Sequence, residues 1–122
     1  MNPRPTHKEL SNKLRKAKEL LGVDCIDILE PQVVLADSFE LGYSFQVEFK
    51  AIVEEILALA DFKNYAGSRP PQRSYETQTK GAELFAFVVQ SPLLDNKDIY
   101  FKFALYQDVL VVVSLHEEKQ ER

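Results

Sequence analysis

The chain has 122 residues, of which 45% are hydrophobic and 28% are charged, and its formal net charge is −4 at pH 7. This length and composition predict one globular domain with a hydrophobic core. No apolar run reaches the roughly 18 residues of a membrane span, and the start lacks the apolar segment of a signal peptide. The lone Cys25 excludes an internal disulfide and a cysteine-based metal cluster, and it indicates a cytoplasmic setting.

The charged residues are unevenly distributed along the sequence. Residues 1–20 and 61–81 are basic, with six and four Lys or Arg against two acidic residues in each range. Residues 21–60 are acidic, with Lys50 alone against eight Asp or Glu. The net charge argues against a general nucleic-acid-binding protein, although basic surface remains available for a polyanion. Solvated faces of mixed sign are the alternative interpretation.

Two segments have the spacing of amphipathic helices, and a third is ambiguous. The first helix is expected to begin at Thr6, which has capping-box spacing to Glu9, and to end near Gly22. The second covers residues 44–60, where a broad apolar stripe indicates packing against a sheet. Between them, residues 33–36 fit a short strand or a helix, and we favour a helix because Pro31 suits a first turn.

The C-terminal part predicts an antiparallel sheet. Residues 83–90 read as one strand, and residues 99–116 read as a hairpin with period-2 alternation. Helices followed by strands define an α+β fold, with two or three N-terminal helices packed on a sheet of at least three strands that ends in the hairpin.

The register of the hairpin decides which side chains share a face. A three-residue turn at 106–108 pairs Phe103 with Val111, whereas a two-residue turn pairs Lys102 with Val113, so we prefer the three-residue turn. The preferred register pairs Leu105 with Val109, Phe101 with Val113 and Ile99 with Leu115. Its polar face carries Tyr100, Lys102, Ser114 and His116. These side chains could handle phosphate, and they are also compatible with an ordinary solvated face.

The residue inventory excludes several kinds of site. The sequence has no glycine-rich phosphate loop, no HExxH motif and no Cys/His set at metal spacing, so no cofactor is expected. Neither His7 nor His116 lies near a nucleophile elbow, which argues against a Ser-His-Asp hydrolase. Metal-free RNA cleavage stays open, because it needs only a base, a cation and an acid. The alternative is that His116 is structural and Tyr100 an amphipathic surface residue.

The loop at residues 62–80 adds three cations to the candidates. It contains Pro70 and Pro71, which stiffen an extended path, and it carries Lys63, Arg69 and Arg73. Loops on a rigid scaffold often bear functional residues, although a solvated connector explains this loop equally well.

Short motifs spread along nearly the whole chain are similar to the MqsR family, RelE-like mRNA interferase toxins of bacterial toxin–antitoxin pairs. The matching segments are Thr6-His7 with Leu10-Ser11, Glu40-Leu41-Gly42 with Phe45, Ala60-Asp61-Phe62-Lys63, Ile99-Tyr100-Phe101-Lys102, and Asp108 to Val112 followed by Ser114 and Glu117. The resemblance implies an α+β toxin that cleaves mRNA without a metal and is neutralised by a cognate antitoxin.

The resemblance also assigns residues to the site. Lys63 matches the family's lysine after the long helix, displaced by about one residue, and Tyr100 matches its strand tyrosine. His116 stands where the family has a lysine. The family's glutamine in the preceding strand corresponds to Phe87 by gapless counting, and to Gln90 only with a shift.

Two hypotheses of different classes follow. In the first, the chain is a ribonuclease toxin in which Tyr100 and Lys63 bind the scissile phosphate and His116 is the general acid or base. Arg69, Arg73, Gln90 and Lys102 would then bind RNA, with basic side chains holding its backbone. In the second, it is a non-catalytic interaction module whose acidic residues 24–55 bind a basic protein. A homodimer is a further assembly that the sequence allows.

Overall fold

The computed structural model describes residues 4–119, and in this range it has three α-helices and five strands. In chain order they are α1 (His7–Gly22), β1 (Ile26–Ile28), α2 (Pro31–Leu41), α3 (Phe45–Leu59), β2 (Gln72–Arg73), β3 (Glu83–Ser91), β4 (Lys97–Tyr106) and β5 (Val109–Glu117). The α+β class, with helices packed on a largely antiparallel sheet that ends in a hairpin, is confirmed. The helix at the ambiguous segment is confirmed as α2, whereas β1 and the two-residue β2 were not expected.

The five strands form one sheet in the order β1-β5-β4-β3-β2, in which only β1 and β5 run parallel. Helices α1 and α3 contact each other and pack on one face of the sheet, which we call the inner face. The apolar stripes expected for these helices are largely buried there. The core between helices and sheet contains, among others, Leu10, Leu14, Ile52, Ile56, Phe85, Phe87, Phe101 and Phe103.

The helix ends follow local sequence rules with one exception. The Thr6 hydroxyl oxygen accepts a hydrogen bond from the amide of Glu9 at 3.1 Å, as a helix cap should. The Glu9 carboxylate does not complete the capping box, because it pairs with Arg4 at 2.8 Å. Helix α2 begins at Pro31 and ends at Leu41, and the next residue, Gly42, has a φ of 82°, a left-handed conformation that favours glycine.

The predicted three-residue turn of the hairpin is wrong. The turn has two central residues, Gln107 and Asp108, with φ of 51° and 58°, and Tyr106 pairs directly with Val109. Two residues of positive φ form a turn whose twist matches that of the flanking strands, which explains why it is preferred. Phe103 therefore pairs with Val112 and not with Val111.

A β-bulge at Val113 corrects the register farther along the hairpin. The pairing shifts between Phe103, which faces Val112, and Lys102, which faces Ser114. A regular two-residue hairpin would instead place Lys102 opposite Val113. The extra residue turns Leu115 into the core, where it is fully buried, and leaves the next side chain on the opposite face of the sheet.

Candidate functional site

The polar residues predicted to share a sheet face do share it. Tyr100 pairs with His116 and Lys102 pairs with Ser114, on the face of the sheet opposite to the core, which we call the outer face. The rings of Tyr100 and His116 stack with centroids 5.1 Å apart and an interplanar angle of 17°. All four side chains are partly exposed, so the aromatic pair and the lysine are accessible from the same side.

A backbone contact fixes the proton of the neutral His116 ring. The Nδ1 atom lies 2.9 Å from the carbonyl oxygen of Glu117, and a carbonyl can only accept a hydrogen bond. Nδ1 therefore carries the proton, which leaves Nε2 of the neutral ring as an acceptor. A nitrogen of this kind can take a proton from a substrate hydroxyl.

The Tyr100 phenol is held in its protonated form. Burial raises the pKa of Tyr100 above its usual value, and the carboxylate of Glu118 raises it further. A phenol that keeps its proton donates a hydrogen bond and does not act as a base. Tyr100 is thus suited to hold an anionic oxygen, and His116 is the better candidate for proton transfer.

The surroundings of His116 are acidic. A cavity of about 280 Å³ at the end of β5 is lined by His116, Asp37, Glu40, Glu117, Glu118 and Lys119. Four carboxylates against one lysine repel a phosphate and attract a cation. The acidic part of the sequence therefore reaches the candidate site through α2, which the sequence did not indicate.

A second groove lies beside Lys102 on the outer face. Its volume is about 360 Å³, and we call it the Lys102 groove. The strand side chains Lys102, Val113, Ser114 and Leu84 line it together with the start of α2 and the residues from Gln72 to Glu76. Arg73 belongs to this groove, where its guanidinium donates to the carbonyl of Gly81 at 2.9 Å. The predicted RNA-binding residues Arg73 and Lys102 thus line one groove.

Lys63 lies apart from the aromatic pair. It belongs to a short 3₁₀ turn, Phe62–Asn64, and within residues 4–119 no hydrogen bond or salt bridge joins it to Tyr100 or His116. Its segment runs along the β3 edge, where Tyr65 pairs with Phe87. Since β4 is the next strand, Tyr100 lies roughly 10 Å from this segment, two strand spacings away.

The other two predicted RNA-binding residues, Arg69 and Gln90, do not line the Lys102 groove. Arg69 is exposed, and its guanidinium lies 5.3 Å from the ring centroid of Tyr65, away from the Lys102 groove. Gln90 is exposed on the outer face opposite Asp98. Phe87, its alternative in the comparison with the MqsR family, is fully buried on the inner face. Of the two, only Gln90 can touch a substrate on the outer face.

The sequence interpretation did not single out Tyr75, and it did not place the acidic residues of α2 and of the chain after β5 beside His116. Tyr75 is 89% exposed at the rim of the Lys102 groove. An aromatic residue in a polar loop is the signal that could have indicated it. The closeness of Asp37 and Glu40 to β5 had no comparable signal, because it depends on the packing of α2.

Comparison of the chain with family models, with curated proteins and with solved structures finds no match. Within residues 4–119, no group of three or more His, Cys, Asp or Glu side chains is arranged to hold a metal ion. The described helices include none that is both long and apolar enough to cross a membrane.

Proposed function

We propose that this chain is an MqsR-like mRNA interferase, a metal-independent endoribonuclease that a cognate antitoxin neutralises. The observation that carries the proposal is the stacked pair of Tyr100 and His116, with Lys102 two residues away on the same face. The similarity of the β4 and β5 segments to the MqsR family supports it. These three side chains supply a proton acceptor, a hydrogen-bond donor and a cation, and solvent supplies the acid.

The proposed reaction is an internal phosphoryl transfer. Nε2 of His116 accepts the proton of a ribose 2′-hydroxyl, and the 2′ oxygen bonds to phosphorus. The bond between phosphorus and the 5′ oxygen breaks, and solvent protonates the leaving oxygen. Tyr100 donates a hydrogen bond to the phosphate, while Lys102 offsets its developing negative charge.

Other cations would hold the RNA outside the reacting phosphate. Arg73 lines the groove that contains Lys102 and would bind the backbone there. Lys63 would bind a phosphate that reaches the β3 edge, and Arg69 would extend this contact along the loop. Gln90, exposed on the outer face, would contact the substrate near Tyr100.

The decisive experiment is cleavage of mRNA by the purified protein in a cell-free translation mixture. In a separate assay with purified mRNA and no translation mixture, we expect cleavage without added metal and in the presence of a chelator. His116→Ala should lower the rate by about 10²–10⁴-fold because it removes the proton acceptor. Tyr100→Phe should lower it less, since it removes one hydrogen bond. Tyr106→Phe is the matched control, because this tyrosine lies at the hairpin turn and should leave cleavage unchanged.

Two results would contradict the proposal. One is the absence of mRNA cleavage by folded wild-type protein. The other is normal cleavage by the double variant with Tyr100→Phe and His116→Ala. Induced expression in a bacterial host gives a complementary readout, since a ribonuclease toxin should stop growth and degrade total mRNA.

A non-catalytic interaction module is the second candidate, and the acidic cavity favours it. The carboxylates of Asp37, Glu40 and Glu118 around His116 suit a basic protein partner better than RNA. In this case, overexpression of the chain alone should cause neither growth arrest nor mRNA degradation. Growth arrest that disappears in His116→Ala would contradict the module.

A further inference from the structure

Tyr75 is the most exposed of the large apolar and aromatic side chains in the described part of the chain, with 89% of its surface accessible. It lies between β2 and β3, at the rim of the Lys102 groove. An aromatic ring that contacts so little protein contributes little to the core. Tyr75 lines the same groove as Arg73 and Lys102, and this arrangement points to a role in binding.

The backbone that carries Tyr75 is firmly held. Ser74 donates its amide to the carbonyl of Ala82 at 2.8 Å, and its carbonyl accepts from the amide of Gly81 at 2.9 Å. The hydroxyls of Ser74 and Thr79 bond at 2.7 Å, and both side chains are buried. The amide of Glu76 donates to the Ser74 hydroxyl at 3.2 Å. The ring is therefore displayed from a fixed support.

The cations beside the ring are positioned as well. The Arg73 guanidinium is tethered to the Gly81 carbonyl at 2.9 Å, whereas for Lys102 the strand pairing with Ser114 fixes the backbone. The groove also contains Glu30 and Glu76, so its two cations are balanced by two carboxylates. Charge alone cannot give strong binding of a polyanion here. RNA that binds in this groove would need a second, non-ionic contribution.

We propose that Tyr75 is a stacking platform for an unpaired nucleobase of single-stranded RNA, with Arg73 and Lys102 binding the adjoining phosphates. Aromatic rings next to basic side chains bind single strands because every base presents a π-face to stack on. Arg73 pairs with Glu83, which is level with the Leu105 end of β4, about five residues or roughly 17 Å along the sheet from Tyr100. The base on Tyr75 therefore belongs to a nucleotide some positions away from the scissile bond. This inference rests on the proposed ribonuclease function and names its substrate as single-stranded RNA.

The test is the binding of a fluorescent 2′-O-methyl RNA, which lacks the 2′-hydroxyl needed for cleavage. Tyr75→Ala should weaken binding about 10-fold or more, because stacking on one aromatic side chain is lost. Tyr75→Trp and Tyr75→Phe should bind like the wild type. Thr77→Ala, an exposed change in the same loop, is the matched control and should have no effect. A duplex RNA of the same sequence should bind more weakly than the single strand.

The inference is overturned if Tyr75→Ala binds the RNA as tightly as the wild type, if Tyr75→Phe loses as much affinity as Tyr75→Ala, or if wild-type protein does not bind the single strand. Cleavage of an unmodified RNA is measured in parallel. Binding that depends on Tyr75 without cleavage supports the platform and contradicts the ribonuclease. Cleavage together with binding that does not depend on Tyr75 supports the ribonuclease and contradicts the platform.

Discussion

Replacement of Tyr43 by phenylalanine should stabilise the protein. The Tyr43 side chain is only 7% exposed, and its hydroxyl is buried without a hydrogen-bond partner among residues 4–119. Burial raises the pKa of Tyr43 to about 12, with a smaller contribution from the carboxylate of Asp37. Phenylalanine keeps the ring contacts and removes the polar atom, so the free energy of unfolding should rise.

The size of the effect follows from the cost of a buried polar group. A donor without a partner costs about 1–3 kcal/mol, and we take the gain on its removal as about 1 kcal/mol. An unfolding entropy of about 2.1 cal/mol/K per residue gives about 0.26 kcal/mol/K for a chain of this length. The expected increase in Tm is therefore about 4 °C.

Thermal and urea unfolding followed by circular dichroism measure this difference. Tyr100→Phe is the matched control, because its phenol lies on the partly exposed outer face, and its unfolding free energy should change by less than about 0.5 kcal/mol. A Tyr43→Phe protein that is less stable than the wild type would refute the reasoning. The hydroxyl would then have a favourable partner, such as a buried water.

The same substitution predicts a difference in alkaline stability. The pKa of Tyr43 is about 12 in the folded chain and about 10 in the unfolded chain. Between these values the unfolded state loses the proton while the folded state keeps it, so wild-type stability falls by up to about 1.4 kcal/mol per pH unit. Tyr43→Phe lacks this loss. Its stability advantage should therefore widen from pH 10 to pH 12.

Two other expectations concern the N-terminal ion pair and the bulge. The hydrogen bond from Arg4 is the main cause of a lowered Glu9 pKa, so this pair stabilises the fold above pH 4.5 and the stabilisation is lost as the pH falls further. In Glu9→Gln, the free energy of unfolding measured with urea should therefore fall less steeply between pH 5 and 3. Deletion of Val113 should give a regular hairpin that still pairs Tyr100 with His116, and loss of cross-strand contacts between these rings in NMR spectra would contradict this expectation.

The helices were predictable from sequence because the spacing of apolar residues and the signals at the helix ends indicate the same segments. The stripe of α3 contains Ile52, Val53 and Ile56, which are all buried. Helix α2 is less clearly amphipathic, and its helical state followed from Pro31 alone. Strand β1 was missed because three residues carry too little periodicity to distinguish them from a loop. Its pairing with β5 is a long-range contact that no local pattern reveals.

The hairpin illustrates how a wrong register can still place the same polar side chains on one face of the sheet. The sequence favours a three-residue turn because that turn keeps Lys102 away from Val113. The protein meets the same requirement with a two-residue turn and a bulge at Val113. Both solutions turn His116 to the outer face, because the side chains alternate again after the bulge. They differ near the turn, where Leu110 and Val112 face the core in place of Val109 and Val111.

Neutralising carboxylates of the acidic cavity should strengthen RNA binding by a ribonuclease but weaken binding of a basic partner by an interaction module. Glu40 and Glu118 repel a phosphate near His116, so a variant with Glu40→Gln and Glu118→Gln should have a lower KM for RNA if the chain is a ribonuclease. The change should shrink as the salt concentration rises, because ions screen exposed charges beyond about 10 Å at 0.1 M. A module that binds a basic partner would lose affinity through the same substitutions. Glu54→Gln on α3 is the control, since this carboxylate lies outside the cavity. Unchanged KM in the double variant at low salt would mean that RNA does not approach His116.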